Sequence, residues 1–259
     1  MAERAPRISV VMPVYNERAT VEEVLLRVQA VDLEKEIVVV DDGSTDGTRE
    51  FLTEVAGCPT AGQAEMALRP SGALLRTENI RVLLQDKNRG KGAALRRGFR
   101  EAKGNIVIIQ DADLEYDPMD YFNLIPPIEM GRADVVYGSR FLAGPHRVMS
   151  FWHYVRNKVL TLMSNMVTDL NLSDVWTCYK AFRREIIQTL DLREERFGFE
   201  QEVTIKIARG GWRVYEAPIS YSGRTHEEGK KITWKDGVRA LWCIAFYGLL
   251  EGRPRIRQP

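Results

Sequence analysis

Short, almost unbroken apolar runs alternate with helical periodicity through the first 140 residues. The runs are residues 8–13, 37–41, 80–85, 106–111 and 133–137. They lack period-two alternation, which predicts strands buried on both faces. Between them, 17–30, 45–55, 92–103 and 118–131 repeat their apolar residues at helical spacing. Strand–helix alternation of this kind predicts an α/β fold: a doubly wound, mostly parallel sheet with helices on both faces.

Residues 58–79 break the rhythm, with Gly, Pro and Ala and no clear period, and read as an inserted surface loop. After Arg140 the pattern becomes amphipathic helices at 151–170, 200–209 and 234–250, with a short strand pair around 214–221. The chain thus reads as an α/β core over 1–140 and a helical region over 141–259 packed on the same domain.

Composition narrows the class. A chain of 259 residues suits one large α/β domain, and 44% hydrophobic with 28% charged residues fits a soluble globular protein. Lys plus Arg number 37 against 36 Asp plus Glu, leaving a charge of +1. That balance argues against a nucleic-acid partner. Cys58, Cys178 and Cys243 are dispersed and odd in number, which suggests neither a disulfide framework nor a zinc site, and points to a reducing compartment. The polar start, Met1 to Arg7, predicts no signal peptide. The apolar stretch Ala240 to Leu250 is roughly half of the about 20 residues that a spanning helix needs. The expectation is a cytoplasmic protein, at most peripheral on the inner face of a membrane.

The polar residues collect where an open parallel sheet binds ligands, beyond the carboxyl ends of its strands. Strand one ends in Pro13-Val14-Tyr15-Asn16-Glu17, and strand two in Asp41-Asp42-Gly43-Ser44-Thr45-Asp46-Gly47-Thr48. Strand three leads to Asn88-Arg89-Gly90-Lys91-Gly92, strand four to Asp111-Ala112-Asp113, and strand five to Gly138-Ser139-Arg140. Each alone is compatible with turn and capping chemistry, but five on one rim point to a site. Asp111-Ala112-Asp113 aims two carboxylates at one volume, which calls for a cation. Hard oxygen ligands select Mg²⁺ or Mn²⁺, and Glu115 offers a third oxygen.

Other motifs fail on spacing. The Asp42–Gly47 run imitates a calcium loop but has Thr53 at its twelfth position. Gly90-Lys91-Gly92 lacks the first Gly and the hydroxyl residue of a phosphate-binding P-loop, and the third Gly of a dinucleotide fingerprint. His146, His153 and His226 are too dispersed for a metal cluster.

Taken in order, Pro-x-Tyr-Asn-Glu, Asp-Asp-Gly-Ser-x-Asp-Gly-Thr, Asn-x-Gly-Lys-Gly, Asp-Ala-Asp and Gly-Ser-Arg resemble the family-2 glycosyltransferases of the GT-A fold, over residues 8 to about 242. Within that family the pattern is most similar to the dolichol- and polyprenyl-phosphate sugar synthases that use mannose or glucose. The resemblance implies a nucleotide-sugar-binding core over 1–140 and an acceptor-binding region over 141–259. It implies that Pro13, Tyr15, Glu17 and Asp42 hold the base and ribose of a GDP- or UDP-linked donor, and that Lys91 lies near the nucleotide. Asp111, Ala112 and Asp113 would meet the diphosphate, with Asp111, Asp113 and Glu115 on the metal and Arg140 at the phosphate end. Gly43, Gly47, Gly90 and Gly92 would let backbone approach the nucleotide. In Tyr221-Ser222-Gly223-Arg224 and the segment to Lys231, Arg224, Lys230 and Lys231 would face a lipid phosphate. The mannosyl synthases usually carry Gln at the position of Glu115, and many relatives carry C-terminal spanning helices.

The implied reaction is inverting transfer of a hexose to a polyprenyl phosphate, which is already anionic. A hydroxyl acceptor would need a base, for which Glu200, Glu202 and Asp174 are the candidates. Two alternatives stay open: a glycosyltransferase with a soluble hydroxyl acceptor, and a sugar-phosphate nucleotidyltransferase. A catalytically idle binding protein is disfavoured by the intact aspartates of the metal turn. Helix 151–170 carries Phe151, Trp152, Val155, Val159, Leu162, Met163 and Met166 on one stripe, and 234–250 carries Trp234, Val238, Leu241, Trp242, Ala245 and Leu249. Such stripes pack on a core or lie in a membrane interface.

Overall fold

The computed structural model describes residues 7–57, 65–67, 73–142, 148, 150–224 and 234–251. Strand β1 (Ile8–Val14), helix α1 (Val21–Ala30), β2 (Lys35–Asp41) and α2 (Thr48–Gly57) open the chain. A hairpin of β3 (Glu65–Ala67) and β4 (Leu74–Arg76) precedes β5 (Ile80–Leu84), α3 (Lys91–Glu101) and β6 (Ile106–Ile109). A 3₁₀ turn (Pro118–Asp120), α4 (Tyr121–Leu124) and α5 (Pro126–Glu129) lead to β7 (Val135–Ser139). Then come α6 (Phe151–Thr168), β8 (Lys180–Arg183), α7 (Arg184–Thr189), α8 (Phe199–Gly210), β9 (Val214–Pro218) and α9 (Trp234–Ala245). A π-helical turn, Phe246–Leu250, extends α9.

The main sheet has seven strands in the order β5-β2-β1-β6-β8-β7-β9. Its strands are parallel except β8, which runs opposite to both β6 and β7. The apolar runs follow from burial on two faces. Val10 and Met12 of β1 enter one core with Ile37, Val39 and Ile108, while Val11 enters a second with Val38, Val40 and Ile109. Successive side chains of a strand point to opposite faces, so a strand covered on both sides is apolar throughout.

Four sequence expectations need correction. The helix foreseen at 118–131 is broken into short pieces, because Pro126 lacks the N–H that would continue α4. The strand pair around 214–221 is one strand, β9, paired parallel with β7. The segment 58–79 contains a hairpin where a loop was read. Strand β8 was not foreseen: Lys-Ala-Phe-Arg offers no apolar run, and Lys180 is buried through an ion pair with Glu200. Because β8 and β9 come from beyond residue 140, the chain on both sides of that point builds one sheet.

Helix α6 reverses the usual arrangement. Its buried positions are Asn157, Leu160, Thr161 and Ser164, mostly small or polar. Its large apolar residues face outward: Phe151, Trp152, Val159, Leu162, Met163 and Met166 are exposed, with Val155 partly so. On α9, Ala240, Cys243 and Ile244 are buried, while Val238, Leu241, Trp242, Ala245 and Leu249 are exposed. The two stripes therefore line the surface. No described helix is long and apolar enough to cross a membrane.

Candidate active site

The carboxyl ends of β1, β2, β6 and β7 open on a cavity of about 340 Å³. Pro13 enters it from near the end of β1, Tyr15 and Glu17 just after that strand, Asp42 after β2, and Lys91 at the start of α3. Asp111, Ala112, Asp113 and Glu115 follow β6, Arg140 follows β7, and Arg224 reaches in from beyond β9. Lys230 and Lys231 lie outside the described residues. Glu200 does not line the cavity.

At the acidic end, Leu114 takes a left-handed conformation (φ 62°), rare for a residue with a branched side chain. The turn it makes brings Asp113 and Glu115 toward the same space, and the Glu115 N–H donates to Asp113 Oδ1 at 3.1 Å. Burial, then the charges of Asp111 and Glu115, raise the Asp113 carboxyl to about 7. Two side-chain cations answer this charge. Lys91 Nζ donates to Asp111 Oδ2 at 2.7 Å. Arg224 forks onto Glu17 at 2.9 and 3.1 Å and reaches Asp113 at 3.2 Å. Its own N–H donates to Glu115 Oε1 at 2.7 Å.

Among the described residues no three carboxylate, imidazole or thiolate groups already converge on a metal position. The donor set nonetheless fits Mg²⁺ or Mn²⁺: hard carboxylate oxygens, crowded enough to raise Asp113, with Arg224 as the neighbouring counter-charge. Asp111 and Asp113, with Glu115, are the residues that would hold the ion.

At the other end, Asp42 is buried, and its carboxylate accepts from Gln85 Nε2 at 2.7 Å, Arg89 N at 2.8 Å and Gly90 N at 2.7 Å. It clamps the β2 loop to the start of α3 while still lining the cavity. The carboxylate expected to be open to a base is thus largely engaged by the protein. Glu17 likewise spends its carboxylate on Arg224 and on Thr20 Oγ1, 2.9 Å away, so it stands at the acidic end. Three of the rim glycines are also needed for packing within the protein. A Cβ on Gly43 would meet Asn88 N at 2.7 Å, and one on Gly90 or Gly92 would meet the carbonyl of Glu195 or Glu194 at 2.3 Å. At these three positions the missing Cβ lets neighbouring protein backbone come close.

Deeper in, Asp174 fixes Arg140 by a two-pronged pair at 2.7 and 2.8 Å, and Asn157 of α6 donates to the same carboxylate. The Arg140 guanidinium lies 5.0 Å over the Tyr221 ring, whose hydroxyl donates to Glu115. All three general-base candidates are committed. Asp174 is bound to Arg140. Glu200 pairs with Lys180. Glu202 accepts from Lys206 and from the N–H groups of Arg193 and Glu194. None of the three lines the cavity, so the structure does not bring Glu200, expected among the catalytic residues, to the site.

The sequence reading gave no role to several lining residues: Asn88, Tyr116, His153, Asn157, Trp176, Cys178, Arg196 and Phe197. Trp176 and Cys178 arrive because β8 runs antiparallel and begins at this rim, a pairing that no local pattern announces. His153 and Asn157 sit four residues apart on α6, among apolar neighbours that dominate the periodicity.

Residues 9–191, more than half of the chain, match the profile described as Glycosyl transferase family 2. The chain is 29% identical to a dolichol-phosphate mannosyltransferase of Pyrococcus furiosus, over 86% of this chain and 59% of that protein. It is 31% identical to an undecaprenyl-phosphate 4-deoxy-4-formamido-L-arabinose transferase of Aeromonas hydrophila, over 86% of this chain and 62% of that one. A polyprenol monophosphomannose synthase of Mycolicibacterium smegmatis is 28% identical over 97% and 90% of the two chains. The chain thus spans about three fifths of the length of the first two relatives. In fold it is similar to glucosyl-3-phosphoglycerate synthase of Mycobacterium tuberculosis bound to Mn²⁺ and UDP. The TM-score is 0.68 at 20% identity, covering 94% of this chain and 80% of that one. With its strand order, its cavity at the carboxyl rim and the family profile across its core, the chain belongs to glycosyl transferase family 2, on the GT-A fold.

Proposed function

We propose that the protein transfers a hexose from a GDP- or UDP-linked donor to a polyprenyl phosphate, inverting the anomeric carbon. The observation that carries the acceptor reading is the state of the carboxylates. Asp174, Glu200 and Glu202 are each tied to a cation, so the described site offers a hydroxyl acceptor none of the bases foreseen for it. A lipid phosphate needs none, being already an anion. The relatives named for dolichol, undecaprenyl and polyprenol phosphate acceptors support the same choice.

In this reading Asp111 and Asp113 would hold a divalent ion, which would supply the positive charge that a departing diphosphate needs. Lys91, freed from Asp111, faces the same phosphates, and Arg224 swings from Glu17 and Asp113 toward an incoming anion. Arg140, held in place by Asp174, marks the deep wall. Helix α6 supplies His153 and Asn157 to the cavity and an apolar outer face of Trp152, Leu162 and Met166. That combination suits peripheral docking on a membrane, with the lipid phosphate delivered to the cavity beside the helix. Incubation with a nucleotide-sugar panel, Mn²⁺ and a short polyprenyl phosphate should yield a lipid-linked sugar. Flotation with anionic liposomes should carry the protein upward. Transfer to a water-soluble hydroxyl acceptor, without liposome binding, would replace the lipid reading.

A further inference from the structure

Four side-chain cations other than histidine line the cavity: Lys91, Arg140, Arg196 and Arg224. Three are neutralised by the protein: Lys91 by Asp111, Arg140 by Asp174, and Arg224 by Glu17 and Asp113. Arg196 makes no side-chain hydrogen bond or ion pair with any described residue, and its one charge partner among them is Asp42, whose carboxyl it draws down from beyond ion-pair distance. The segment that precedes it, by contrast, is tied down, and the Arg196 carbonyl accepts from Phe199 N at 3.3 Å. The N–H groups of Arg193 and Glu194 donate to Glu202, and the Glu195 carbonyl accepts from Ala93 N at 3.1 Å. The Glu194 carboxylate takes Arg239 of α9 at 2.7 and 3.0 Å. Arg196 Cγ would lie 2.8 Å from a Cβ on Gly90, so the side chain runs along the start of α3, beside Lys91. A tied-down segment that presents to a cavity a guanidinium with no hydrogen-bonded or ion-paired partner is preorganised for an anion from outside, and guanidinium geometry matches phosphate.

We propose that Arg196 is a donor-recognition residue whose guanidinium takes a phosphate oxygen of the bound nucleoside diphosphate. This rests on the nucleotide-sugar reading of the cavity. The test is calorimetric binding of UDP and GDP, and of uridine and guanosine, with Mn²⁺ present. Arg196→Gln should weaken binding of the preferred diphosphate about tenfold or more, the worth of a charge-assisted hydrogen bond. Arg196→Lys should recover part of the loss. Nucleoside binding should not change, donor KM should rise, and the polyprenyl-phosphate KM should stay put. The side chain is exposed, so the variant's thermal midpoint should match that of the parent. Equal diphosphate affinity in Arg196→Gln and parent overturns the assignment. So does an equal loss for nucleoside and diphosphate, or a loss confined to the acceptor KM. A parent protein that binds neither diphosphate overturns the donor reading itself and this assignment with it, a result distinct from the other three.

Discussion

Removing the Arg224 guanidinium should uncover the repulsion that the cavity holds in check. This side chain bonds Glu17 at 2.9 and 3.1 Å and lies 3.2 Å from Asp113. The three side chains are 18%, 9% and 18% exposed, so the cluster is largely shielded from water. Breaking a buried pair by deleting one partner costs about 3–5 kcal/mol. The cavity is open on one side, so the lower end, about 3 kcal/mol, applies to Arg224→Ala. For a domain of this size each kcal/mol moves the midpoint by roughly 2–4 °C, which predicts a fall of about 6–12 °C in chelator. Asp113 contributes most when ionised, so the fall should be larger at about pH 8 than at about pH 6, on either side of its raised value of about 7. Mn²⁺ should restore more of the midpoint in the variant than it adds to the parent. Differential scanning calorimetry with and without Mn²⁺ measures all of this. Equal midpoints for Arg224→Ala and parent in chelator would refute the counter-charge role.

Asp113 has its own pH signature. Its folded value lies above the ordinary 3.8, so the fold favours the protonated form, and this contribution to stability is lost as pH rises from about 4 through 7. Metal must displace that proton, so Mn²⁺ affinity should climb about tenfold per pH unit up to about pH 7 and then level, as calorimetric titration would record. Asp113→Ala should abolish metal-dependent nucleotide binding, by the same titration, with far-ultraviolet circular dichroism unchanged. Asp42→Ala orphans three donors at the start of α3, so it should cost about 2–4 kcal/mol in urea melts and weaken donor binding through the displaced loop. Trp152→Glu with Leu162→Glu alters residues that are 70% and 61% exposed. Stability should shift by no more than about 0.5 kcal/mol, while liposome flotation is lost; flotation equal to the parent's would remove α6 from the docking surface.

Most of the catalytic rim was legible because it obeys a local rule. Each parallel strand announces itself as an apolar run, and the residues just past its carboxyl end must lie on one edge of the sheet. Asp111-Ala112-Asp113 and Arg140 could be placed together without coordinates for that reason. Glu200 could not be judged the same way. Its neighbour Lys180 lies on a strand that only antiparallel pairing with β6 and β7 creates, and only that burial turns a candidate base into a structural ion pair. Glu17 and Arg224 stand 207 positions apart, so their bond could not be read from spacing.

The sequence by itself determined the doubly wound sheet, the rim, the acidic turn and the family, since all depend on periods and motifs spanning a few residues. Tertiary structure decided the rest: which carboxylates are spent, which glycines are pressed by protein backbone, and which side of α6 meets water. An amphipathic period says that a helix has two faces, not which of them the fold will bury. Here the sites lining the core took Asn157, Thr161 and Ser164, and the apolar stripe was left outside. The choice rests on what each face can satisfy: Asn157 and Thr161 find Asp174 and Val175 N inside, partners that exist only once the chain beyond α6 has folded back.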